Sequence, residues 1–214
     1  MERIKKGDIV GRKSYGKDII FVIKKIIDTP QCKVAILRGL IDRIEADSNL
    51  DDLELIDRKT LKKEINYFNN KLDNRIKHNE KHIKNKEYKI GLLLKNNRTQ
   101  EKIVTGKILH LDGDKRYSEK SYRYYRKLGL KCIVKNIPEY RQPKVVYRML
   151  EEYNPDILVI TGHDGMIKRG TDYNNIYNYR NSKYFIETVK EARRYDSEKQ
   201  KDLVIFARSM PKLF

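Results

Sequence analysis

The chain has 214 residues, 39% of them hydrophobic and 36% charged, with a formal charge of +18. That length allows one good core and a smaller module beside it. The apolar runs are too short to span a bilayer, and no charged-then-apolar leader opens the chain, so neither a membrane span nor a secretory signal is expected and the cytoplasm is the default compartment. The basic excess invites a polyanion such as nucleic acid. Lys, Ile, Asn and Tyr are abundant together, however, as an AT-rich coding bias produces, and a solvated basic surface is the plainer account.

Residues 1–57 read as a small β-barrel of SH3-like or KOW-like type. Lys6–Val10 begins a strand, Asp18–Ile27 continues with a β-rich run and Cys32–Leu40 makes another, with Gly11, Gly16, Asp28-Thr29-Pro30 and Gly39 at the turns. The acidic stretch Asp47–Asp57 closes the module and argues against its whole surface gripping phosphates. Residues 58–102 form a basic connector, in which Leu61, Ile65, Phe68, Leu72, Ile76 and Ile83 recur at helical intervals before a polar run, Lys95–Glu101. Such a helix either touches an acidic partner or packs one stripe and solvates the rest; the second is the plainer reading. His78 and His82 share a helix face, but no Cys or third ligand stands near them. Cys32 and Cys132 have no metal-type spacing and no disulfide framework, so no metal site is expected.

From 103 to 214 strands and helices alternate. Ile108–Leu111, Lys131–Lys135, Ile157–Ile160 and Asp202–Phe206 read as strands, and Tyr117–Leu128, Gln142–Tyr153 and Asn181–Tyr195 as helices, Pro143 sitting in the first turn of the second. This order predicts an α/β fold with a doubly wound, Rossmann-like parallel sheet and right-handed crossovers. Ligands bind past the carboxyl ends of such strands. Asp112, Asp114 and His163 therefore gather at one rim. The stretch Asn154–Gly165 (NPDILVITGHDG) concentrates the signal: an unbroken apolar strand runs straight into Gly162, His163, Asp164 and Gly165. The glycines allow a sharp turn and close approach to a substrate. The plain alternative is a polar loop whose histidine only bonds its neighbours.

These residues carry a family resemblance. GKILHLDGD, QPKVVYRMLEEYNPDILVITGHDG, NYRNSKYFIETVKEARRY and DLVIFA closely resemble the YabG sporulation-specific peptidases, and KKGDIVGRKSYG and LRGLIDRIEAD fit the same family. The resemblance runs from about Lys5 to Ala207. It implies a cysteine endopeptidase with no cofactor, made in the mother-cell cytoplasm during endospore formation and then found in the spore coat. Its implied partners are spore coat protein substrates, with self-processing also in view, no membrane, and nucleic acid left open. It implies a caspase-like arrangement in which His163 is the catalytic histidine. Asp164 could then orient the imidazole, although a surface turn carboxylate is the plainer reading, and backbone N–H groups of the Gly162–Gly165 turn are placed to help hold an oxyanion.

The match breaks after the last strand. The family continues FAGACQS, whose Cys is the expected nucleophile, whereas this chain reads Phe206-Ala207-Arg208-Ser209-Met210-Pro211-Lys212-Leu213-Phe214. Met210 stands at the Cys position, and a thioether has no proton to lose. The codons AGG-AGC-ATG-CCA-AAG-CTT-TTT encode this tail; without the first A they read Gly-Ala-Cys-Gln-Ser-Phe. The expectation is a frameshift that leaves the α/β domain truncated, its C-terminus incomplete and the chain inactive. Two other readings compete: a non-catalytic nucleic-acid or spore-coat binding module using the connector and barrel, and a receiver-like domain whose expected acid and lysine are out of register here.

Overall fold

Alternating apolar residues in the first fifty positions make strands that bury one face. The computed structural model describes residues 4–96, 106–167 and 175–208. Strands β1 (Ile9–Arg12), β2 (Phe21–Asp28), β3 (Lys33–Gly39), β4 (Glu45–Asn49) and β5 (Leu53–Leu55) form one antiparallel sheet in the order β4-β3-β2-β1-β5. Its core is Val10, Ile19, Phe21, Ile23, Ala35, Leu37 and Leu53. β4 and β5 flank and enter the acidic stretch in which the sequence marks no strand. β4 buries none of its residues, so it carries no apolar alternation to read; pairing with β3 makes it a strand.

Helix α1 (Arg58–Asn96) follows, started by Asp57, whose carboxylate accepts the Lys59 and Thr60 N–H groups and the Thr60 hydroxyl. Of the polar run Lys95–Glu101, the first two residues continue α1 and the rest lie outside the described residues. His78 and His82 are both exposed on this helix.

The second sheet is parallel throughout: β6 (Ile108–Asp112), β7 (Cys132–Asn136), β8 (Ile157–Thr161) and β9 (Val204–Arg208), in the order β7-β6-β8-β9. Helices α3 (Gln142–Tyr153) and α4 (Ser182–Lys199) cover one face, burying Val146, Leu150, Phe185, Ala192 and Tyr195 against Leu109, Leu111, Leu158 and Ile160. Helix α2 (Lys115–Lys127) covers part of the other, where Tyr125 meets His110. The protein is thus α/β, with one antiparallel and one parallel sheet.

Of the boundaries that differ from the sequence reading, two have clear reasons. α4 continues past Tyr195 to Lys199 through a polar turn held by ion pairs Arg194–Glu198 and Lys199–Glu151, which leave no apolar trace. β9 begins two residues late because Asp202 takes a left-handed φ of 55° and Leu203, held by the Asp196 carboxylate, is buried beside the helix. Val204 and Phe206 on the outer face of β9 are exposed, Phe206 to 60%. Cys32 and Cys132 are free thiols, and among the described residues no helix is long and apolar enough to cross a membrane.

Leu158 is fully buried at the centre of the parallel sheet. Leu158→Ala is expected to cost about 3 kcal/mol in urea unfolding, the range for deleting a core leucine; a loss under about 1 kcal/mol would contradict this core.

Candidate active site at the rim of the parallel sheet

The parallel ladder brings three strand ends to one level. Asp112 pairs with Asn136 and Thr161, and Thr161 pairs with Arg208. The chain leaves β6 through Gly113 and Asp114 and leaves β8 through Gly162–Gly165, on the same edge. Asp114 caps α2, its carboxylate accepting the Arg116 and Tyr117 N–H groups. Asp112 is fully buried and accepts from Arg43 (2.5 Å), Thr161 Oγ1 (2.8 Å) and the Asp114 N–H (2.8 Å). Thr161 Oγ1 also meets His110 Nε2 at 2.7 Å, and His110 Nδ1 lies 3.2 Å from the Tyr125 hydroxyl. A buried polar chain therefore runs from Arg43 to Tyr125.

His163 is 0% exposed. Its ring meets the edge of Tyr117, with centroids 5.8 Å apart. Neither ring nitrogen has a hydrogen-bond partner among the described residues. Burial, and then the nearby Arg38 guanidinium, lower its pKa to about 4, against the pull of Asp114 and Asp112. The imidazole is accordingly a neutral base at physiological pH. The sequence-read trio of Asp112, Asp114 and His163 does converge.

The Asp164 carboxylate makes no hydrogen bond to the imidazole among the described residues. It is fully buried, so it is not a surface turn carboxylate either. Its carboxylate accepts the Gly165 and Asn181 N–H groups and, at 2.5 Å, the Ser182 hydroxyl, clamping the turn onto the start of α4. Three of the four expected oxyanion donors, those of His163, Asp164 and Gly165, are engaged elsewhere. The His163 N–H donates to Glu139, that of Asp164 to the Arg43 carbonyl and that of Gly165 to Asp164.

The glycines serve close packing. A Cβ at Gly113 or Gly162 would fall on the Glu139 carboxyl, and one at Gly165 on the Glu45 backbone carbonyl. Glu139 is a positioning residue that the sequence reading missed. It is wedged between two strand ends, 2.8 Å from the His163 N–H, and burial raises its pKa. Arg43 and Tyr117 were also missed. Arg43 lies in the motif LRGLIDRIEAD, but nothing local joins it to Asp112, 69 positions away. Its guanidinium also sits 4.1 Å over the Tyr117 ring.

His110 is depressed to about 4 as well, by burial first, with Asp112 opposing and Arg43 adding to the effect. The unfolded chain takes up both histidine protons first. Stability from these two residues is full above about pH 6.5 and is lost as the pH falls toward about 4. The urea midpoint should therefore drop between pH 7 and pH 5, with each histidine contributing on the order of 2 kcal/mol by linkage. His163→Gln should show a smaller drop, and an equal drop in both proteins would remove His163 from the account.

Comparison with known proteins fits this frame. The family described as YabG peptidase U57 matches residues 5–210. The sporulation-specific protease YabG of Bacillus subtilis (strain 168) is 34% identical over 205 residues, covering 94% of this chain and 70% of that protein. With both sheets and the His163 turn inside the matched region, the chain belongs to the YabG peptidase family.

Proposed function

We propose that this protein derives from a cysteine-type endopeptidase of sporulation in which His163 is the general base and acid. The single observation that carries this reading is a fully buried, neutral imidazole whose two nitrogens lack partners among the described residues, beside the ends of β8 and β9. In the sequence, His163 comes two positions after Thr161 and Met210 two positions after its ladder partner Arg208. A Cys at 210 would give its proton to the imidazole, and the thiolate would attack a peptide carbonyl. The imidazolium would then protonate the leaving amine, and water would hydrolyse the acyl-enzyme. Met210, which lies outside the described residues, cannot do this, so the chain with this tail lacks peptidase activity.

The finer architecture belongs to the same proposal. Residues 1–57 are an SH3-like barrel, 58–102 a connector and 103–214 a caspase-like domain. The substrates are spore coat and related proteins, with self-processing, and the sites of action are the mother-cell cytoplasm and then the coat. The relative's description as a sporulation-specific protease supports the protein-substrate class. A binding role remains the competing reading, favoured by the exposed Lys77, Lys81 and Lys84 on α1.

The deciding assay sets this chain beside a protein encoded with one base removed ahead of codon 208, on spore-coat extract. Cleavage is expected only from the second protein and should be abolished by His163→Ala. Cleavage by the unaltered chain would overturn the role given to Met210. No cleavage by either, with salt-sensitive DNA binding instead, would favour the binding module.

A further inference from the structure

The cover over His163 comes from the other sheet. The turn between β3 and β4 lies along the rim as an added strand: Ile44 forms a parallel bridge with Asp164, the Asp164 N–H donates to the Arg43 carbonyl (3.3 Å), and the Glu45 N–H donates to the Asp164 carbonyl (2.8 Å). This is the backbone pairing by which an extended peptide binds a sheet edge. Side chains pin the turn from both sides. Arg43 reaches Asp112, the Tyr117 hydroxyl donates to the Ile41 carbonyl, and Arg116 donates to the Leu40 carbonyl at 3.2 Å.

We propose that the turn Leu40–Ile44 is an internal latch, which holds the site shut by occupying the rim where an extended peptide has to lie. The latch rests on the reading of His163 as the reacting group for its consequence in catalysis, though not for its geometry. Three features suit it to release. Arg43 Nη1 is buried without a partner among the described residues, so the guanidinium is desolvated without full compensation. The turn's contacts to the rim are polar, and a competing peptide backbone can replace those made to Asp164. The ion pairs Arg38–Asp114 and Arg180–Asp47 join β3 to the end of β6 and β4 to the segment ahead of α4, outside the turn, and can hold the sheets together while the turn lifts.

Histidine carbethoxylation by diethyl pyrocarbonate at neutral pH, read residue by residue by mass spectrometry, tests the latch with built-in controls. His78 and His82 are exposed and should react fast in every variant. His110 is 3% exposed and reports loss of the fold. In Arg43→Ala, His163 should react about tenfold faster than in the unaltered chain while His110 stays protected, the pattern of a local opening. Unchanged protection of His163 overturns the latch. If Arg43→Ala releases His110 too, Tyr117→Phe decides, since it removes the bond to Ile41 and keeps the ring. Faster reaction at His163 alone then supports the latch. Unchanged protection, or joint release of both histidines, overturns it by making the turn part of the fold itself. The readout is independent of peptide cleavage. Failure of the coat-extract assay therefore leaves the latch standing, and a protected His163 in Arg43→Ala leaves the peptidase reading standing.

Discussion

The ladder of the parallel sheet is the constraint from which the site follows. β6, β8 and β9 run in the same direction and are in register at Asp112, Thr161 and Arg208, so the turns after β6 and β8 leave the sheet at one height, level with Arg208. A carboxylate, a hydroxyl and an imidazole are thereby stacked from neighbouring strands. A slip of one residue in β8 would turn Thr161 and His163 to the opposite face.

Much of this was legible because strands buried on both faces advertise themselves. The run Ile157–Ile160 ending abruptly at Gly162 placed the rim, and Pro143 with Tyr153 bounded α3 to the residue. What escaped notice came from long-range pairing. β4 is a strand because β3 is beside it. Arg43 becomes part of the site only when the antiparallel sheet docks, and Glu139 reads as a loop acid after Pro138 until two glycines are seen to make room for it. For Asp164, adjacency to His163 left an imidazole partner and a turn carboxylate both open; its carboxylate accepts the Asn181 N–H and the Ser182 hydroxyl, because an α-helix start offers donors that a buried acid can satisfy.

The rim is also an expensive place in stability terms. Asp112, His110, His163, Asp164 and Glu139 are all buried there, and each needs hydrogen bonds to offset lost hydration. Most find them; the His163 ring has none among the described residues. A buried imidazole without a partner there is a strained choice for a structural residue, and such departures from good packing cluster where chemistry is done. The contrast with His110, bonded at both nitrogens, separates the two histidines more clearly than burial does.

Helix α1 has a consequence for the particle as a whole. Its 39 residues make a rod about 58 Å long at 1.5 Å per residue, whereas a globule of this chain length has a radius of gyration near 17 Å, by the usual scaling, at about 2.2 N^0.38. Its first half is tied to α2, where Lys120 bonds Asn69 and lies over Phe68, and buries Ile76. From Lys77 to Asn85 every residue but Glu80 is exposed, so this stretch of the rod offers its charges to solvent and not to a core.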